Sequence, residues 1–273
     1  MKTLVILLFL TILAAGCNKN DTIPNDLSAL PPDNGGTHEA MAYGATAAPF
    51  GYYIYTPGGY TENGVEYPLM VFLHGAGEIG YSGTDPAILD KILVTGIPEL
   101  INTKRWHPSY PMIVVSPQCP ERQWNTAKIH ELIKFITEQY RVNSKRIYIT
   151  GLSMGAIGTY SYIQDYGGSS YVAAAVPIAG RGDIYKGSSF QDIPVWAFHG
   201  DADPIVDVSN SISMIAAIND AHPATRALLT IYPGVGHDSW SRTYDESGMG
   251  QESPDYDPFG ISIFDWMLEY VKK

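Results

Sequence analysis

Short apolar runs of strand length alternate along this chain with segments of helical periodicity, and few architectures accept that order. Residues 69–73, 112–115, 147–150, 172–178, 195–199 and 228–232 are rich in Val, Ile, Leu and Phe. Their apolar character is too continuous for a strand with one wet face, so both faces are expected to be buried. Residues 52–55 add a strand closed by a Pro-Gly-Gly turn. Between these runs lie helical patterns at 86–94, 125–142, 154–164, 208–219 and 261–271. In the second, Ile129, Leu132, Ile133, Ile136 and Tyr140 fall on one face. Asp85 is placed to cap the first, with Pro86 where a missing amide proton is harmless. The pattern predicts an α/β fold with a mostly parallel central sheet and helices on both faces. Ligands of such sheets sit beyond the carboxyl ends of the strands. With 273 residues, 45% of them hydrophobic, the chain can build one large core.

The amino terminus reads differently. Residues 1–17 combine Lys2, a short apolar run and Ala14-Ala15-Gly16-Cys17, the pattern of an export signal with Cys17 as the lipidated residue. Polar, Pro- and Gly-bearing residues 18–36 are expected to form a flexible tether of roughly 25 Å span, and 37–273 the α/β domain. Lipidation of Cys17 leaves Cys119 without a partner, as a small buried residue at a strand end. A net charge of −11 argues against nucleic acid as a partner.

Four segments after predicted strands carry chemistry. Gly151-Leu152-Ser153-Met154-Gly155 joins a strand to a helix, a turn that exposes the serine and needs small neighbours. It also leaves the Met154 amide free to meet an oxyanion at a helix N-terminus. His74-Gly75-Ala76-Gly77 lets a second amide, that of Ala76, reach the same oxygen, with His74 holding the loop. The loop 200–208 offers Asp201, Asp203 and Asp207. Asp203 is chosen because Pro204, Ile205 and Val206 would pin it, whereas Asp201 suits a turn and Asp207 a helix cap. Its Asp-x-Asp does not read as a calcium loop, because Ile205 and Val206 stand where a ligand and a glycine are needed. Finally, Gly234 and Gly236 permit a tight loop that carries His237 back over the sheet. His38, His107, His130, His199 and His222 read as surface or packing residues. No spacing suits a catalytic metal.

With "YPLMVFLHGAGEIG", "VSPQCPERQW", "RIYITGLSMGAIGTY", "FHGDADPIV" and "GVGHDSW" in this order, the chain from about residue 52 resembles the α/β-hydrolases. More narrowly it is similar to secreted bacterial esterases related to feruloyl and acetyl xylan esterases, polyhydroxybutyrate depolymerases and dienelactone hydrolases. The resemblance implies Ser153, Asp203 and His237 as a triad, Ala76 and Met154 as oxyanion donors, no cofactor, and an ester substrate. The connection between the strands at 172–178 and 195–199 is too short for a cap domain, so the site is expected to be open and to suit short-chain or aromatic acyl esters of carbohydrates, including acylated polysaccharides. Gln118, Trp124 and Trp240 are candidates for substrate contact, and the loop 241–260 for one wall of the site. A lipid anchor would place the protein at the bacterial outer membrane. A serine peptidase of the prolyl oligopeptidase type shares the triad, and a glycan-binding lipoprotein without catalysis shares the fold; both stand as alternatives.

Overall fold

In the computed structural model, which describes residues 25–62 and 64–273, the apolar runs become one eight-stranded sheet. The strands are β1 (Thr37–Met41), β2 (Tyr52–Thr56), β3 (Tyr67–Leu73), β4 (Ile113–Pro117), β5 (Val142–Leu152), β6 (Ala174–Ile178), β7 (Trp196–Gly200) and β8 (Leu228–Tyr232). They lie in the order β1-β2-β4-β3-β5-β6-β7-β8. β2 runs antiparallel to both β1 and β4, and every later pairing is parallel. The helices are α1 (Asn25–Ser28), α2 (Gly96–Asn102), α3 (Thr126–Gln139), α4 (Met154–Tyr166), α5 (Ser209–Asp220), α6 (Trp240–Tyr244) and α7 (Ile263–Leu268). None among the described residues is long and apolar enough to cross a membrane.

Side-chain alternation splits the strands between two cores. Leu69, Val71, Leu73, Ile147 and Ile149 join the core that also holds Ile129, Leu132 and Ile136 of α3 and Met214 of α5. Met70, Phe72, Tyr148 and Val176 join the opposite one, with Ile97 of α2, Tyr244 of α6 and Trp266 of α7. A period of two along the strand therefore buries both faces, as the continuous apolar runs required.

Several expectations change. Residues 86–94 form a 3-10 helix, capped by the Asp85 side chain on the Ala87 amide as foreseen. The closing helix is shorter than 261–271, because Arg146 and Tyr148 donate to the Leu268 and Tyr270 carbonyls and end it there. The signal and Cys17 lie outside the described residues, but the second half of the expected tether is docked. Leu27 is buried, and Asp33 accepts from the Tyr55 hydroxyl and from the Gly58 amide. The loop 241–260 does two jobs. Its first turn is α6, and its second half lies along β8, where the Ser253 and Asp257 amides donate to Ile231 and Leu229 and protect the sheet edge.

Candidate active site

Ser153 occupies the single residue between β5 and α4, at φ 53° and ψ −116°. A non-glycine residue there is strained. Its amide donates to the Ile178 carbonyl at 2.9 Å, which ties the turn to the end of β6. The two glycines of the motif are required by close approach. A Cβ on Gly155 would stand 1.9 Å from the Leu73 carbonyl oxygen, and one on Gly151 would stand 2.5 Å from the Gly155 carbonyl. The helix is thereby pressed onto β3 and β5, and the serine hydroxyl is left at the rim.

The carboxyl ends of β7 and β8 supply the partners. The Asp201 amide donates to Tyr232 and the Ala202 amide to Val235, while the Asp201 carboxylate accepts from the Gly234 amide. Two loops are thus laced together. His237 Nδ1 donates to Asp203 Oδ2 at 2.7 Å, and His237 Nε2 lies 2.9 Å from Ser153 Oγ. With its proton on Nδ1, the imidazole turns a lone pair toward the serine hydroxyl. The Asp203 side chain is buried, while that of His237 is 20% exposed and open to a substrate. Burial pushes the Asp203 carboxyl up, but hydrogen bonds from His237 and from the Val206 and Ile205 amides outweigh it and hold the group below the usual carboxylate value. Asp207 accepts from the Ser209 amide and serves α5, as its position suggested.

His199, expected as a surface or packing residue, is packed inside and also meets the candidate acid. It is fully buried, and Nε2 faces two acceptors, Asp203 Oδ2 at 3.1 Å and the Val206 carbonyl at 2.8 Å. A nitrogen facing only acceptors must carry the proton, so Nδ1 accepts from the Ser211 hydroxyl at 2.7 Å. Burial lowers its pKa against the pull of Val206 and Asp203, keeping the ring neutral. A polar residue inside an apolar strand, four positions before a candidate acid, was the available signal.

Ala76 opens a 3-10 turn (Ala76–Glu78) and Met154 opens α4. First-turn amides have no partner within their helix, so both are free to donate. His74 sits beneath the Ala76 loop, fully buried, with Nδ1 donating to the Gly75 carbonyl and Nε2 accepting from the Cys119 amide. Cys119 itself is buried at the end of β4, as expected. Two of the candidate substrate residues support this loop instead. Gln118 is buried and donates to the Glu78 and Ile88 carbonyls. Trp124 is buried and donates to the His74 carbonyl. Both point inward because the loop needs its carbonyls satisfied, a direction that chain position does not reveal. Trp240 stands beside the triad, its ring edge-on to His237 at 5.1 Å, while Trp124, though buried, also lines the groove that runs from Met154 along α4.

Comparisons with known proteins agree with this architecture. A family model described as phospholipase/carboxylesterase matches residues 95–246, more than half of the chain. A solved thermostable esterase is 27% identical, over 86% of this chain and 63% of its own, with a TM-score of 0.61. A feruloyl esterase module from Clostridium thermocellum, solved with sinapinate, is 18% identical over 82% of this chain and 89% of its own, with a TM-score of 0.57. A bifunctional acetylxylan esterase/xylanase of Neocallimastix patriciarum is 24% identical over 87 residues, 32% of this chain and only 12% of that protein. The chain therefore spans a small part of that relative and less than two thirds of the thermostable esterase. From its sheet, its strand-to-helix serine and the family match, the chain belongs to the phospholipase/carboxylesterase family of α/β-hydrolases.

Proposed function

We propose that the protein hydrolyses carboxylic esters through an acyl-enzyme on Ser153, acting on short or aromatic acyl esters of carbohydrates. One observation carries the reading: an unbroken hydrogen-bonded line from Ser153 Oγ to His237 (2.9 Å) and on to Asp203 (2.7 Å). In the first step His237 Nε2 takes the serine proton as Oγ bonds to the ester carbonyl carbon. The carbonyl oxygen becomes an oxyanion held by the Ala76 and Met154 amides. Collapse breaks the carbon–oxygen bond to the alcohol, which leaves with the proton from His237. Water then attacks the acyl-enzyme by the same route and frees Ser153. Asp203 keeps the imidazole in the productive tautomer and offsets its charge.

The substrate class is supported by what surrounds the triad. The connection between β6 and β7 holds only a 3-10 segment (Ile184–Phe190), and among the described residues no cap domain covers the serine. Trp240 stands edge-on to His237, a ring against which a sugar or an aryl acyl group can stack. The likeness to proteins described as feruloyl and acetylxylan esterases points the same way. Export and anchoring through Cys17 complete the proposal. A Cys17→Ser variant is expected to move from the membrane pellet to the soluble fraction and to lose label from radioactive palmitate.

The test of the chemistry uses 4-nitrophenyl acetate and a fluorophosphonate probe. Ser153→Ala is expected to lower kcat at least about 10⁴-fold and to abolish labelling, with an unchanged circular dichroism spectrum. A folded variant that kept the wild-type rate would overturn the assignment. A peptide 4-nitroanilide cleaved faster than the ester would replace the esterase with a peptidase.

A further inference from the structure

A groove starts at the residue beside the nucleophile. Its floor is one face of α4, formed by Met154, Ile157, Gly158 and Ser161, spaced three, four and seven residues from the first. Arg122, in the loop after β4, and Arg181, in the loop after β6, stand on it together, and the groove holds about 250 Å³. Arg181 also lines a wider cavity of about 570 Å³ that continues along α4 to Asp165 and Lys186.

Charges at the far end are matched. Lys186 Nζ lies 3.3 Å from Asp165 Oδ1, Thr126 donates to the other Asp165 oxygen, and Asp183 accepts from the Tyr185 amide. The near end is different. Arg122 and Arg181 are both exposed, and among the described residues neither guanidinium has a hydrogen bond or an ion pair. In a chain of net charge −11, acidic partners are abundant, yet two cations are left open on one groove. Guanidinium groups bind carboxylates through paired, planar hydrogen bonds. At 1.5 Å per residue, Met154 and Ser161 are roughly 10 Å apart along the helix. A group seated there is within reach of an ester held at Ser153 by one or two sugar rings or by a short acyl chain.

We propose that Arg122 and Arg181 form a carboxylate subsite, so that the enzyme selects esters carrying a carboxylate near the scissile bond. This deepens the ester-hydrolase reading above and rests on it. The carboxylate comes either from the alcohol, as a uronic acid on an acylated oligosaccharide, or from the acyl group, as in a monoester of a dicarboxylic acid.

Two substrate pairs separate the sources. One compares acetylated xylo-oligosaccharides with and without methylglucuronic acid substituents; the other compares mono-4-nitrophenyl glutarate with 4-nitrophenyl butyrate. The wild type is expected to favour the charged member of one pair in kcat/KM. In Arg122→Gln/Arg181→Gln the charged-to-neutral ratio for that pair is expected to fall about tenfold, and 0.5 M NaCl is expected to reproduce part of the fall. Arg181→Glu is expected to lower the ratio further. Wild-type protein that hydrolyses the neutral esters with a ratio near one in both pairs, or a ratio untouched by the double variant, overturns the subsite and leaves the esterase reading standing. Protein that hydrolyses none of the four overturns the esterase reading and the subsite with it.

Discussion

Asp203 receives four hydrogen bonds on two oxygens. Oδ1 accepts from the Ile205 and Val206 amides, and Oδ2 from His237 and His199. Asp201, two residues earlier, holds only the Gly234 amide. Asp203→Asn is therefore expected to lower kcat with 4-nitrophenyl acetate by about 10⁴-fold, since an amide cannot hold the productive imidazole tautomer. Asp201→Asn is expected to stay within about threefold, because a side-chain carbonyl still accepts from an amide. The reverse order would move the acid to Asp201. His199 acts on this chemistry at one remove, as a positioning residue. Replacing it with Phe removes a donor from Asp203, so the carboxylate becomes more basic and stabilises the His237 imidazolium more strongly. The acid limb of kcat/KM is expected to shift to higher pH while kcat falls about tenfold with little change in KM. An unshifted pH profile would reduce His199 to packing. The sequence displayed Ser153 and His237 through glycine spacing, and Asp203 through the rigid residues behind it. His199 was illegible because its strand context masks which neighbour its ring meets, and the inward turn of Gln118 and Trp124 depends on rotamers that spacing does not specify.

At the level of elements, the strand-to-helix junction concentrates the constraints. The Cβ of an alanine at position 155 would lie 1.9 Å from a carbonyl oxygen of β3, which is backbone and cannot rotate away. Gly155→Ala is expected to cost about 3 kcal/mol or more, or to prevent folding. At Gly168 nothing lies within 4 Å of an added Cβ, so Gly168→Ala is expected within about 0.5 kcal/mol of wild type. Urea unfolding of the pair checks both, and equal stabilities would refute the close-contact account. Elements with strong periodicity were the readable ones. Residues 228–232 fall on β8, and 129–136 supply the buried face of α3. β1 escaped because Thr-His-Glu-Ala-Met on the sheet edge is mostly exposed and shows no apolar alternation. Short α6 escaped because five residues are too few to show a period, and its place is set by Tyr244 packing against Phe72.

For the whole molecule, the two cores enclose titratable groups whose protonation links folding to pH. His74 and His199 are both fully buried, and burial lowers both, His74 to about 4. His38 is also pushed to about 4, but it is only partly buried and contributes less. Each of these rings is near its ordinary value of 6.5 once unfolded. Below that pH the unfolded chain binds protons that the folded chain refuses, so stability is complete above 6.5 and falls as pH drops toward about 4. The limiting slope is about 1.4 kcal/mol per pH unit for each histidine. Surface charge does not obscure this at first, because unperturbed carboxylates titrate below the upper part of the window and salt screens their repulsion. Against a typical stability of about 5–15 kcal/mol, the loss is large. Urea midpoints are expected to fall steadily from pH 7.5 to pH 5 at constant m-value, and His74→Gln is expected to flatten the slope while lowering stability at pH 7.5. A midpoint that did not move over this interval would mean that the two rings take up protons in the fold as readily as in the unfolded chain. That in turn would remove the lone pairs with which His74 accepts from Cys119, and His199 from Ser211.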